Sequence, residues 1–241
     1  MKTVIIMQAR MTSTRLPGKV LKEVLDKPLL EYQIERLRRV PLADNIVIAT
    51  TVNDADQPII DFCQRLGIDF YRGSEEDVLS RYYHAAAQAK ADVIVRVTSD
   101  CPLIDPEVVN RIIAAFHQGN YDYVSNTLIR TYPRGLDAEV FSASVLSQAF
   151  SHARLPAERE HVTPYIYNHP ESFKIQNICF ERDESRRRWT VDTPEDYELI
   201  KILITELYSE NSAFNLVDCL ALLDKNPEWE LINRHIEQKK S

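Results

Sequence analysis

Short apolar, β-branched runs alternate with helix-patterned stretches along much of this 241-residue chain, and that alternation restricts the fold more than any other feature. Val4 to Met7, Ile46 to Thr51, Val93 to Val97 and Tyr121 to Val124 read as buried strands. Between them Leu30, Ile34, Leu37 and Val40 recur at helical spacing, as do Ile59, Ile60, Cys63 and Leu66 before a stop at Gly67. Asp105-Pro106-Glu107 marks a helix start for Val108 to Phe116, pairing a capping side chain with a proline whose missing N–H costs nothing there. Thr193-Pro194-Glu195-Asp196 repeats that signature. Strand and helix in turn predict an α/β fold, a mostly parallel central sheet flanked by helices. Apolar residues at 44% and charged residues at 27% are ordinary for a globular chain, and one main domain over residues 1–241 fits the length.

From Asn126 to Phe180 the alternation loosens into a strand at Ala138 to Phe141, helices near Ser144 to Phe150 and Glu158 to Asn168, and a strand near Phe173 to Cys179. Residues 126–180 therefore read as a smaller lid or dimer-contact region laid on the main sheet. The tail from Asn215 to Lys240 reads as two short helices. Cys63, Cys101, Cys179 and Cys219 lack metal-ligand spacing and read as reduced, mostly buried thiols. The net charge of -7 argues against a surface for nucleic acid or an anionic membrane, so any anion must be gripped locally. The chain runs from Met1 almost directly into a strand, too soon for a signal peptide, and a cytoplasmic location is expected.

The first strand feeds Gln8-Ala9-Arg10-Met11-Thr12-Ser13-Thr14-Arg15-Leu16-Pro17-Gly18-Lys19, a loop with three cations, three hydroxyls and one glycine. Ligands of open α/β sheets bind at the carboxyl ends of strands, and a turn there lets backbone N–H groups approach phosphate oxygens. Arg10 and Arg15 can fork onto phosphates, and Lys19 adds a movable point charge. The loop reads as a polyphosphate grip, although a solvated basic turn fits the same residues. It is not a P-loop, and no Gly-x-Gly-x-x-Gly exists in a chain with five glycines, so kinase and dehydrogenase readings lose their support.

Ala9-Arg10, Ser13 to Lys19 and Lys27-Pro28-Leu29-Leu30 together resemble the signature of sugar-acid cytidylyltransferases, nearest the spore-coat polysaccharide branch, over residues 1 to about 200. The resemblance implies a nucleotide-diphospho-sugar transferase, or glycosyltransferase-A-like, fold. It further implies transfer of CMP from CTP to the anomeric hydroxyl of an acidic sugar with release of pyrophosphate, a Mg2+ or Mn2+ cofactor, and a homodimer. In that family the acid of a Gly-Asp-x-Pro-Leu-Ile segment and the acid opening Asp-Thr-Pro-Glu-Asp hold the metal, positions that Asp100 and Asp192 occupy here. Ser99 stands where glycine is usual and Cys101 where the octulosonate branch often has an acid, which bears on the sugar.

Read from the residues alone, Asp100 follows a buried strand and Asp192 precedes a capped helix, so both acids emerge at strand ends. One or two carboxylates, with waters and substrate phosphates, are what magnesium takes. Arg10, Arg15, Lys19 and Asp100 are the candidate catalytic residues. The nucleotide is expected to meet the loop residues Gln8, Ala9, Arg10, Ser13, Thr14, Arg15, Gly18 and Lys19, with Thr98 after the third strand. Asp77 and Arg81, in Gly73 to Arg81, are the candidates for reading the base and ribose, though Asp77 also suits a helix-start acid. For the acidic sugar the candidates are Arg134, Asp137, Glu139, Arg159 and His161. Arg182, Arg186, Arg187 and Arg188 read as a solvated turn rather than a phosphate clamp. A glycosyltransferase of the same broad fold and a non-catalytic nucleotide-binding homologue remain the alternatives.

Overall fold

The computed structural model describes residues 1–238. The chain begins with β1 (Thr3–Gln8), then a two-stranded ribbon of β2 (Glu23–Val24) and β3 (Lys27–Pro28) that leads into α1 (Leu29–Leu37). Strand and helix then alternate through β4 (Asn45–Thr51), α2 (Gln57–Leu66), β5 (Asp69–Gly73), α3 (Val78–Ala89), β6 (Val93–Thr98) and α4 (Pro106–Gln118). After β7 (Tyr123–Ser125) and β8 (Glu139–Ser142) come α5 (Ala143–His152), α6 (Pro156–His161) and α7 (Pro164–Tyr167). β9 (Ile175–Asn177), α8 (Pro194–Tyr208) and α9 (Leu216–Lys225) follow, with a 3-10 turn at Pro227–Leu231 after them. No helix among the described residues is long and apolar enough to cross a membrane.

One seven-stranded sheet, in the order β5-β4-β1-β6-β8-β7-β9, carries the molecule. β1 lies parallel to β4 and β6, and β4 parallel to β5, so their carboxyl ends share one edge. Residues 126–180 do not simply lie on this sheet: β8 is inserted antiparallel between β6 and β7, and β9 extends the edge beside β7. The helix expected from Glu158 to Asn168 is broken into α6 and α7 at Val162, whose φ of 73° no α-helix admits. β5 has no apolar run to announce it, because this edge strand is largely half-exposed and mixes Asp69 and Arg72 with aromatics.

Period-two side-chain alternation sorts the strands into two cores. Ile5, Met7, Ile48, Val93 and Val95 face α1, α2, α4 and α8, while Val4, Ile6, Val47 and Ile94 face α3 and α5. Asp105 caps α4 through Glu107 N and Val108 N, and Gly67 closes α2 at φ 61°. Thr193 and Asp196 form the reciprocal cap of α8. Three cysteines are buried and free as expected, but Cys179 is exposed.

Candidate active site

Beyond β1 the backbone stays in register for one more residue, Ala9 N donating to Ala49 O at 3.1 Å, and then loops across the sheet edge. Met11 organises this loop: its N–H donates to Asp56 at 2.6 Å, and its carbonyl accepts from Ser13 N and Gly18 N at 3.0 Å. Gly18 adopts φ 67°, a left-handed conformation that costs glycine little, and so turns the chain into a 3-10 segment at Lys19–Leu21. That turn points Lys19 back under the loop.

The Lys19 ammonium meets both acids. Its Nζ lies 2.8 Å from Asp100 Oδ2 and 2.8 Å from Asp192 Oδ1. Asp100 is held after β6 by Thr98, whose hydroxyl donates to Oδ1 at 2.6 Å. The Asp100 carbonyl accepts from Val191 N at 2.8 Å, so the segment carrying Asp192 is tied to the one carrying Asp100. Arg15 approaches the second oxygen of Asp192 at 3.2 Å. Burial works against ionisation of Asp100, but the Lys19 charge and the Lys19, Thr98 and Cys101 hydrogen bonds prevail and hold it at about 2. Burial likewise opposes the Lys19 ammonium, and the two acids outweigh it, so its pKa lies above the ordinary lysine value.

Two cavities meet at these residues. The smaller, about 610 Å³, is lined by Gln8, Ala9, Ser13, Thr14, Lys19 and Arg81; the larger, about 970 Å³, by Arg96, Arg130, Arg134, Asp137, Glu139 and Thr163. Arg10, Arg15, Thr98, Asp100, Glu160, His161 and Asp192 line both and form their common mouth. Gly18 shapes the loop from outside the cavity wall. Arg10 reaches Glu75 at 3.3 Å, and Thr12 donates to the same carboxylate at 2.9 Å, so Glu75 tethers the loop.

Arg81 is 2% exposed, donates to Ser74 O at 3.0 Å and has no carboxylate partner among the described residues. Its Nε is buried without an acceptor, and burial lowers its pKa. Asp77 and Arg159 depart from the sequence reading. Asp77 caps α3 by accepting from Ser80 N at 2.9 Å and pairs with Arg159, which also donates to Phe150 O; neither lines a cavity. Asp77 is the helix-start acid, and Arg159 is consumed in fastening α6 to α3.

In the larger cavity Arg130 grips Asp137 through both nitrogens, at 2.5 and 2.8 Å. Glu139 is buried; it pairs with Arg96 across the β6–β8 register and accepts from Tyr123 at 2.5 Å and Thr163 at 2.6 Å. Arg134 is different, since its guanidinium has no carboxylate partner among the described residues, and burial and neighbouring Arg130 lower its pKa. Its backbone docks by a 3.0 Å bond to Arg187 O and a 2.7 Å bond from Trp189 N. Gly135, at φ 103°, allows this approach: a Cβ there would lie 2.7 Å from the Trp189 carbonyl carbon.

Sequence reasoning missed Arg96 and Arg130. Arg96 alone left a signal, a charge inside the apolar strand Val93 to Val97. The arginine-rich turn is corrected in part: Arg182 and Arg186 are exposed, as a solvated turn predicts, but their neighbours are not. Arg187 and Arg188 are 5% and 6% exposed, the first paired with Glu184 and Asp224, the second with Asp192 and Asp196. Charge compensation by these acids makes their burial possible.

A model of cytidylyltransferases matches residues 4–218, nearly the whole sheet and all the residues of the mouth. The chain belongs to the cytidylyltransferase family. It is 38% identical to an uncharacterised protein of Methanocaldococcus jannaschii over 99% of this chain and 97% of that one. It is also 38% identical to the spore coat polysaccharide biosynthesis protein SpsF of Bacillus subtilis, over 92% of this chain and 94% of that one. Among solved structures, a cytidylyltransferase from Leptospira borgpetersenii serovar Hardjo-bovis superposes with a TM-score of 0.91 at 38% identity, covering 100% of both chains. A CMP:2-keto-3-deoxy-manno-octonic acid synthetase complexed with CTP reaches a TM-score of 0.66 at 19% identity, covering 86% of this chain and 99% of that one. At that identity the second likeness is one of fold, the nucleotidyltransferase sheet described above.

Proposed function

We propose that this cytidylyltransferase transfers CMP from CTP to the anomeric hydroxyl of an acidic sugar, releasing pyrophosphate and a proton. The observation that carries the reading is the meeting of Lys19, Asp100 and Asp192 at the mouth between two cavities, one edged by the basic loop and the other by arginines. A triphosphate in the smaller cavity would present its α-phosphorus at that mouth, and a sugar in the larger would present its hydroxyl there.

Each residue has a chemical task in this reading. Arg10, Arg15 and Lys19 would neutralise the leaving pyrophosphate, with the backbone N–H groups of Thr14, Arg15 and Leu16 as further donors. Arg81 offers buried donors to the O2 and N3 acceptors of cytosine; uracil carries hydrogen at N3 and would leave donor facing donor. The CTP bound to the octulosonate synthetase supports the same choice. Arg134 suits the carboxylate of an acidic sugar, while Asp137, Glu139, Thr163 and His161 offer hydroxyl contacts.

The acids fit a magnesium ion. Both carboxylates already converge on a single cationic nitrogen, and Mg2+ takes one or two carboxylates with waters and substrate phosphates. Held by Asp100 and Asp192, it would polarise the α-phosphate. The test is a pyrophosphate-release screen of CTP, UTP, ATP and GTP against a panel of acidic sugars, with and without Mg2+. Release with CTP, an acidic sugar and Mg2+ together is expected; release with neutral sugars alone would refute the acceptor class.

A further inference from the structure

The two oxygens of Asp192 have different surroundings. Oδ1 faces the common mouth and meets Lys19 at 2.8 Å. Oδ2 accepts from the buried Arg188 Nη2 at 2.6 Å and lies 3.2 Å from Arg15. Arg188 is 6% exposed and each nitrogen of its fork is engaged. Nε donates to Asp196 Oδ1 at 2.9 Å, Nη2 also reaches Asp196 Oδ2 at 3.2 Å, and Nη1 donates to Gln238 at 2.6 Å.

Asp196 is in turn fixed from three sides. It is 0% exposed and accepts from the backbone N–H of Asp192 at 3.0 Å and of Thr193 at 3.2 Å. Asn233 Nδ2 donates to Asp196 Oδ1 at 2.8 Å and to the Arg188 carbonyl at 2.9 Å, which closes the network from the C-terminal side. Asp196 and Asn233 line neither of the two cavities. Their connection to the mouth runs only through Arg188 and Asp192.

A carboxylate pinned through one oxygen cannot rotate to chelate an ion through both. Calcium accommodates one- or two-oxygen carboxylates in loose shells of six to eight ligands, whereas magnesium demands single oxygens on a tight octahedron. Neutralising Asp192 needs only a positive charge, but dividing its oxygens between two directions needs a planar fork with fixed neighbours. We infer that Arg188, locked by Asp196 and Asn233, is a positioning residue that confines Asp192 to single-oxygen coordination and so selects a small octahedral cation over calcium. This inference rests on the reading of Asp100 and Asp192 as the metal pair.

The test uses Mn2+ as the probe, with protein-bound Mn2+ followed by water-proton relaxation in the presence of CTP. Mg2+ and Ca2+ are titrated as competitors against wild type, Arg188→Lys and Asn233→Ala. Lysine keeps the charge and loses the fork. In Arg188→Lys the Ca2+ needed to displace half the Mn2+, relative to Mg2+, should fall by about tenfold or more. Asn233→Ala, which retains the Arg188–Asp196 pair, should shift the ratio the same way by less, and it serves if the lysine variant does not fold. Circular dichroism melts identify the folded variants. Unchanged Ca2+ to Mg2+ ratios in every folded variant would overturn the inference while leaving the metal pair standing. A wild type that binds no Mn2+, with or without CTP, would refute the metal pair and the inference with it.

Discussion

Lys19 sits between two acids that would repel each other without it, and this arrangement fixes how the site titrates. Asp100, depressed from 3.8 to about 2, adds stability above its ordinary value that is lost as pH falls toward 2. Lys19, raised, adds stability below 10.5 that is lost as pH climbs through its higher folded value. Between those limits the Asp100–Lys19 pair stays charged. Acidification from about pH 5 to about pH 2 should therefore cost wild type on the order of 2 kcal/mol more than Asp100→Asn, measured by chemical denaturation at each pH. Equal losses would show that Asp100 ionises in the folded protein as it does in the unfolded one. At neutral pH the same variant should release pyrophosphate slower by on the order of 10²-fold while melting as a folded protein. For Arg81→Met we expect weaker CTP binding and a smaller preference for CTP over UTP by calorimetry, since a buried donor set is removed; an unchanged preference would take Arg81 out of base selection.

Helix ends and tight turns, more than helix bodies, position this site. Asp105 caps α4 with one oxygen and accepts from Leu216 N, at the start of α9, with the other at 2.6 Å. Asp105→Ala should cost about 2–3 kcal/mol in denaturant unfolding, more than an ordinary cap, because a buried N–H on a second helix also loses its partner. A cost below that of a surface cap would mean that water replaces the carboxylate. Val162 presents a different kind of constraint. With φ 73° and ψ -52°, and Thr163 N donating to His161 O at 2.9 Å, it is the centre of a γ-turn that a β-branched residue adopts only under compulsion. That turn sends His161 and Thr163 toward the cavities on either side of one fully buried valine. The parallel strands, the capped helices and the position of the loop were legible in the sequence because periodicity and capping are local. The break at Val162, the direction of β8 and the burial of Arg188 were not. Each has a partner far away in the chain: Glu139 for Thr163, β6 for β8, Asn233 for Arg188.

At the scale of the molecule, the sheet edge gathers the loop after β1, the turn after β6 and the approach to α8 into one mouth. A ligand that bridges these three segments stabilises the native state by mass action, so Mg2+ with CTP at about 100 times its dissociation constant should add about 2.7 kcal/mol. A melting temperature that rises with CTP concentration, and less with UTP, is the measurement; no shift with CTP would rule out nucleotide binding at the mouth. Arg81, Lys19, Glu139 and the loop could be marked out from motif, whereas Arg130 and the pairing of Arg96 with Glu139 required knowing that β8 returns beside β6. That return has an outcome for biosynthesis. A nascent chain that has emerged through the turn after β6 already carries the loop and Asp100, yet Asp192 and its buttress lie in the last third still to be made. Half-finished protein therefore holds one acid of the mouth without the other, and the two meet only once the approach to α8 has been made and has docked.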